Sequence, residues 1–307
     1  MIEERLINFE VGTRYGYDFG VATTWCKIFG SEFLNSGKAP LVVLHGGPGA
    51  THSYCLPMAD LTRDDRSIIF YDQIGNGKSS HFRDAPVEFW EPSIFVEELH
   101  NLALSLGIAQ NFSILGQSWG GFLAQEYVLA HPQGLNSVVL SNTAASFPHF
   151  LQAANEWRSQ LPEDVEETLR RCEANGTTDS QEYLDACDVF YRRHVCRLDD
   201  WPEEITASFA EIDADPTVYH TMNGPSEFHV IGTLKDWSSI DRLHEVETPT
   251  LIVCGRFDEA APWLSDEIAS GIINSAVRIF EQSSHMPFHE EREKYMDTVG
   301  AFLNSND

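Results

Sequence analysis

The chain has 307 residues, 47 of them acidic and 20 basic, for a formal net charge of −27, a field that repels nucleic acid and anionic membrane and draws in cations and amines. Hydrophobic residues make up 42% and charged residues 22%, which excludes a disordered or fibrous chain. Cys26, Cys55, Cys172, Cys187, Cys196 and Cys254 form no Cys-x-x-Cys pair, so neither a zinc site nor a disulfide framework is expected. The start Met1-Ile2-Glu3-Glu4-Arg5 lacks a cationic lead and no apolar run reaches about 18 residues, so the expectation is a cytoplasmic soluble protein with no membrane or nucleic-acid partner.

In chain order, short apolar runs bounded by turn residues occur at Pro40–Leu44, Ser67–Tyr71, Phe112–Leu115, Asn136–Leu140, Thr250–Cys254 and Val277–Phe280. Runs of this kind are the signature of buried parallel strands. Helical patterns lie between them, from Ser93 to Leu106 before Gly107 and from Trp119 to Ala130 before His131-Pro132. Alternation of this sort predicts an α/β fold with a mostly parallel, doubly wound sheet. From about Ala145 to about Ser239 the strand-like runs vanish, and amphipathic stretches such as Pro162–Ala174 and Ser180–Val195 replace them. The expected organisation is one catalytic domain of residues 1–144 and 240–307, with a helical cap, residues 145–239, inserted in it.

Gly116-Gln117-Ser118-Trp119-Gly120 follows a predicted strand and opens a predicted helix, the context in which Gly-x-Ser-x-Gly forms a nucleophile elbow. Its glycines belong there because the turn is too tight for side chains beside the serine. A second motif, His45-Gly46-Gly47-Pro48-Gly49, follows the Leu41–Leu44 run, where a backbone N–H is needed to bind a substrate oxyanion. Gly47 and Trp119 are therefore the expected oxyanion donors. Cradling of a phosphate is disfavoured, because Pro48 removes a donor and no Gly-Lys-Ser/Thr follows. The spaced glycines of Asp72-Gln73-Ile74-Gly75-Asn76-Gly77-Lys78-Ser79 read as a structural turn.

A serine hydroxyl needs a histidine to take its proton and a carboxylate to orient that histidine. In this fold those partners follow in the order Ser, Asp/Glu, His, which selects Asp258 and His285, each just past the end of an apolar run. His289 is the competitor for the base, in a segment that begins to read as the last helix. An ordinary histidine base would give an acid limb at roughly pH 6 to 7.

Taken together, these motifs with Asn223-Gly224-Pro225-Ser226-Glu227-Phe228 and Gly255-Arg256-Phe257-Asp258-Glu259 resemble the proline iminopeptidase and L-amino-acid amidase family of α/β-hydrolases. The resemblance implies an α/β-hydrolase fold with a cap, and a serine hydrolase that removes an N-terminal residue from short peptides or hydrolyses amino-acid amides. It also implies that Glu227 and Glu259 bind the substrate amine. No cofactor is required by this chemistry, and the implied partner is a small-molecule or short-peptide substrate with a free amine. Asn76 and Lys78 depart from the family pattern, leaving the acyl-side preference open between proline and other residues. An esterase, thioesterase or acyltransferase acting on a biosynthetic metabolite is the enzymatic alternative. A non-catalytic ligand-binding homologue is the alternative outside enzymology.

Overall fold

Eight strands form one sheet: β1 (Ile2–Glu10), β2 (Val21–Phe29), β3 (Leu41–Leu44), β4 (Ile68–Tyr71), β5 (Phe112–Gln117), β6 (Leu135–Ser141), β7 (Thr250–Gly255) and β8 (Ser275–Phe280). Their spatial order is β1-β2-β4-β3-β5-β6-β7-β8. β1 pairs antiparallel with β2 and β2 antiparallel with β4, while every pairing from β4 to β8 is parallel. The protein is thus an α/β-hydrolase fold, in a computed structural model that describes residues 1–34, 36–131 and 133–307. The helix stop expected at Pro132 lies outside the described residues.

Residues along the central strands alternate between two cores, as the two-residue period of a strand requires. Val42, Leu44, Ile69 and Tyr71 pack on one face with Ile94, Leu99, Leu123 and Ile268. Leu41, Val43, Ile68 and Phe70 pack on the other with Met58, Leu61, Tyr295, Met296 and Val299. The first face is covered by α1 (Pro92–Ser105), α2 (Trp119–Ala130) and α8 (Pro262–Gly271), the second by a 3-10 helix (His52–Asp64) and α10 (Arg292–Asn304). Because both faces are covered, these strands read as continuous apolar runs, and all six runs expected from the sequence are strands.

β1 and β2 were not expected. β1 is an edge strand whose outer face exposes Ile2 and Leu6 and whose inner face carries the charged Glu3 and Arg5, so its residues do not alternate apolar with polar as its burial does. Between β6 and β7 run α3 (Phe147–Arg158), α4 (Glu163–Asn175), α5 (Gln181–His194), α6 (Glu203–Ala214) and α7 (Thr217–Met222). Leu169, Cys172, Tyr183, Cys187, Phe190 and Phe228 give these helices a core of their own. No helix among the described residues is long and apolar enough to cross a membrane.

The strand order decides where the site sits. Parallel strands all end on one edge, and β3 runs beside β5 with Leu44 opposite Gly116. The loop leaving β3 therefore meets the loop leaving β5 where the strand order reverses, the position at which open α/β sheets place ligands.

Candidate active site

Ser118 joins β5 directly to α2 with φ 55° and ψ −123°, left-handed backbone that a non-glycine residue adopts only under surrounding constraint. The constraint is visible: Ser118 N–H donates to the Ser141 carbonyl at 3.0 Å, and the Ser118 carbonyl accepts from Thr143 Oγ1 at 2.9 Å. A Cβ at Gly116 would collide with the Gly120 carbonyl, and one at Gly120 with the Leu44 carbonyl. Both motif glycines are thus required by backbone-to-backbone approach.

Asp258 and His285 meet on the loops after β7 and β8, with Nδ1 of His285 donating to Oδ1 of Asp258 at 2.6 Å. The carboxylate is held by its neighbours as well: Oδ1 accepts from Ala260 N–H at 2.9 Å and Oδ2 from Asn142 Nδ2 at 2.6 Å. Burial by itself would depress the His285 imidazolium, but Asp258, Glu259 and Glu227 outweigh it and hold the group up to about 9. That is above the range expected of an ordinary histidine, because three carboxylates surround this one. His289 is engaged elsewhere, donating from Nε2 to the Tyr54 carbonyl at 2.8 Å.

Around the β3 loop, His45 is fully buried, and burial pushes its pKa down to about 4. It is a neutral spacer: Nδ1–H donates to the Gly46 carbonyl at 3.0 Å and Nε2 accepts the Gln73 N–H at 3.0 Å. Gly46 N–H donates to the Tyr54 hydroxyl at 2.6 Å, Tyr54 donates to Gln117 Oε1, and Gln117 Nε2 donates to the His285 carbonyl at 3.2 Å. Among the described residues, neither Gly47 N–H nor Trp119 N–H donates an internal hydrogen bond. The two donors expected to face an oxyanion are thus free to do so, and Trp119 opens α2, where the helix dipole adds to them.

A small cavity opens over Ser118. His285, Glu227 and Glu259 line it together with Gly47, Phe209 and Ile212. Glu259 is 1% exposed and its Oε2 has no hydrogen-bond partner among the described residues; Oε1 lies 3.6 Å from Nε2 of His285. Burial, the largest effect, raises its pKa well above the carboxylate range, and the nearby Glu227 and Asp258 add to this. Glu227 accepts from the Tyr219 hydroxyl at 2.7 Å, and burial raises it too. Two carboxylates together beside Ser118, Glu259 buried and Glu227 half-buried, are costly unless a cation joins them.

Every candidate drawn from the sequence, Ser118, Asp258, His285, Gly47, Trp119, Glu227 and Glu259, lies on this one edge of the sheet or on the segment after α7 that faces it. Sequence reasoning missed Tyr54, Gln73, Gln117 and Asn142. Gln117 sits inside the recognised motif and Gln73 inside the recognised turn, but their hydrogen bonds reach 168 and 46 residues along the chain, and no local pattern announces such partners. The helices between β6 and β7 reach the site through α5, where His194 Nδ1–H donates to the Phe257 carbonyl at 2.8 Å.

Comparison with known proteins gives one consistent picture. The family model described as the alpha/beta hydrolase fold matches residues 39–292. A proline iminopeptidase of Heyndrickxia coagulans is 41% identical over 274 residues, covering 88% of this chain and 92% of that one. Among solved structures, VinJ is 42% identical with a TM-score of 0.92, covering 99% of both chains. The proline iminopeptidase of Mycobacterium smegmatis is 40% identical with a TM-score of 0.88, covering 99% of this chain and 98% of that one.

Proposed function

The chain belongs to the α/β-hydrolase family, among the proline iminopeptidases, and from that premise we propose that it cleaves the N-terminal residue of short peptides or hydrolyses amino-acid amides by acyl transfer through Ser118. The observation that carries this reading is the pair Glu227 and Glu259, which line the same cavity as Ser118 and His285. An ammonium entering a closed site loses its hydration, and charge-assisted hydrogen bonds to two carboxylates replace it.

In this reading Nε2 of His285 takes the proton of Ser118 Oγ as the oxygen attacks the scissile carbonyl. The oxyanion forms against Gly47 N–H and Trp119 N–H, which lower the barrier because they are already oriented. The imidazolium then gives its proton to the leaving amine, and the acyl-serine is hydrolysed by a water that His285 deprotonates. Asp258 holds the imidazole in the tautomer with hydrogen on Nδ1, supported by Asn142 and Ala260 N–H. Residues 145–239 serve as a cap that excludes water, and residues 1–144 and 240–307 as the catalytic domain. Six free cysteines agree with a reducing, cytoplasmic setting.

The test is a comparison of matched substrates. Aminoacyl amides and esters, with proline first, are assayed with the α-amine free and with it acetylated. Loss of one partner of a buried charge pair costs about 2–5 kcal/mol, so acetylation is expected to lower kcat/KM by roughly 30-fold or more. Equal cleavage of the acetylated series sinks the aminopeptidase and amidase reading and leaves a general esterase.

A further inference from the structure

The amine site and the general base are not independent. Nδ1 of His285 is committed to Asp258 at 2.6 Å, which leaves Nε2 as the atom that must receive the Ser118 proton. Yet the charged group near Nε2 is Glu259 Oε1 at 3.6 Å, and Ser118 Oγ makes no side-chain hydrogen bond among the described residues. Glu259 cannot turn to solvent, being 1% exposed, and its backbone is pinned by donation from Glu259 N–H to the His194 carbonyl at 3.1 Å.

The groups facing His285 come from every side of the cavity. Asp258 and Glu259 approach from the β7–α8 loop and Glu227 from the segment after α7. The phenols of Tyr54 on the 3-10 helix, Tyr191 on α5 and Tyr219 on α7 lie around the same carboxylates. Glu290 of α9 (Pro287–Glu290) is taken up by Ser284 N–H and Oγ and by Arg197 N–H, each at 2.8 Å. Among the described residues, no lysine or arginine lines the cavity. Three carboxylates and one imidazole thus share a space with no lysine or arginine among its described lining residues, and such a group retains a proton.

We propose that in the free enzyme His285 Nε2 and Glu259 hold one proton between them, and that a substrate ammonium expels it by taking over Glu259 and Glu227, so that the base is freed only when a cationic substrate is seated. This rests on the amine-site reading of Glu227 and Glu259. Held as an imidazolium whose Nε2–H faces Glu259 Oε1 at 3.6 Å, His285 has no free lone pair on Nε2 and cannot take the proton of Ser118. Below the pKa of the substrate amine the balance is protonated enzyme plus ammonium going to complex plus one proton released to solvent. The elevation of the His285 imidazolium to about 9 agrees with a proton held in the empty site, and an arriving positive charge lowers it. Selectivity for amines then arises twice, in binding and in activation of the base.

Two measurements test this. The first is calorimetric titration of the Ser118→Ala protein with prolinamide at pH 6.5, in buffers of different ionisation enthalpy. Release of about one proton per ligand bound is expected, with weaker binding and no release for N-acetylprolinamide. Preferential binding of the free amine without proton release overturns the proposal while leaving the amine site standing; equal binding of the two ligands overturns the amine site itself. The second compares Glu259→Gln with the parent on an aminoacyl amide and on a small uncharged ester at pH 7. Losing the carboxylate unlatches the base, so the amide is cleaved more slowly and the ester faster, by about tenfold or more if the base returns toward the ordinary histidine range. The acid limb of the ester reaction should fall accordingly. Slowing of both substrates by the same factor overturns the proposal.

Discussion

The indole Nε1–H of Trp119 donates to Oε1 of Gln73 at 2.8 Å, and the same carboxamide donates from Nε2 to the His45 carbonyl at 2.9 Å. One buried side chain therefore ties the start of α2 to the loop carrying Gly47. The two proposed oxyanion donors come from segments 72 residues apart (119 − 47), and their spacing must match one oxygen atom. Gln73 is the direct side-chain strut between them.

Gln73→Leu is accordingly expected to lower kcat more than it raises KM. Deleting an oxyanion donor outright costs about 10²–10³ in kcat; displacing two should cost about 10–100-fold, with KM within about twofold. Gln73→Glu keeps the acceptor for Trp119 but loses the donor to His45, and should fall between. Steady-state kinetics normalised by active-site titration provide the check. A lower melting temperature with kcat intact assigns Gln73 to the fold alone.

Ser118→Ala should leave a folded protein almost without turnover, since binding and the oxyanion donors retain only a small part of the catalysis of a serine triad. Relief of the left-handed strain at φ 55° does not come with it, because alanine keeps a Cβ. The melting temperature should therefore stay close to that of the parent. Activity comparable to the parent, measured on the best free-amine substrate, assigns the nucleophile elsewhere.

Beneath the Asp72–Ser79 turn, Glu98 is fully buried and accepts from Thr24 Oγ1 at 2.6 Å and from Ile74 N–H at 3.0 and 3.1 Å. Burial raises its pKa from 4.5 to about 8. The sign follows from linkage: below 4.5 both states carry the proton, and from there to about 8 the unfolded chain sheds it while the folded chain keeps it. This contribution to stability is full at low pH and declines as pH rises, levelling off above the folded pKa. Glu98→Gln cannot titrate, so its melting temperature relative to the parent should climb between pH 5 and pH 8. A difference that is flat across this range, or that falls, contradicts the assignment.

The central strands and the elbow were legible because burial on both faces and backbone collision leave few residue choices, as at Val42 and Val43 or at Gly116 and Gly120. β1 was hidden because an edge strand imposes little: Ile2 and Leu6 are exposed while Glu3 and Arg5 are partly covered. Asp258 and His285 could be selected by chain order, since each follows a strand on the same edge. Asn142 and Tyr54 could not, because a buried hydrogen bond across the sheet leaves no local trace in composition. The raised pKa of His285 was equally out of reach, as it depends on carboxylates from two distant segments converging in three dimensions.

The last prediction concerns the Tyr219 hydroxyl, which donates to Glu227 Oε1 at 2.7 Å. Tyr219 belongs to α7, whose backbone lies against Gly49: a Cβ there would strike Tyr219 N and Cβ at 2.9 Å. The hydrogen bond thus fixes Glu227 relative to the loop carrying Gly47 as well as supporting its charge. On free-amine substrates Glu227→Gln should lose roughly 30-fold or more in kcat/KM, from about 2 kcal/mol or more of ion pairing. Tyr219→Phe removes one hydrogen bond to a charged acceptor, worth about 1.5–3 kcal/mol, and should lose on the order of tenfold or more. If the phenol acts through Glu227, the double variant loses little more than Glu227→Gln alone, so the two changes couple rather than add. N-acetylated substrates provide the control, because they carry no cation for Glu227 to hold and Tyr219→Phe should change their rate much less. Losses that multiply in the double variant, or a Tyr219→Phe effect of equal size on both substrate series, would mean that Tyr219 supports the helices between β6 and β7 as a whole and not the carboxylate proposed to hold the amine.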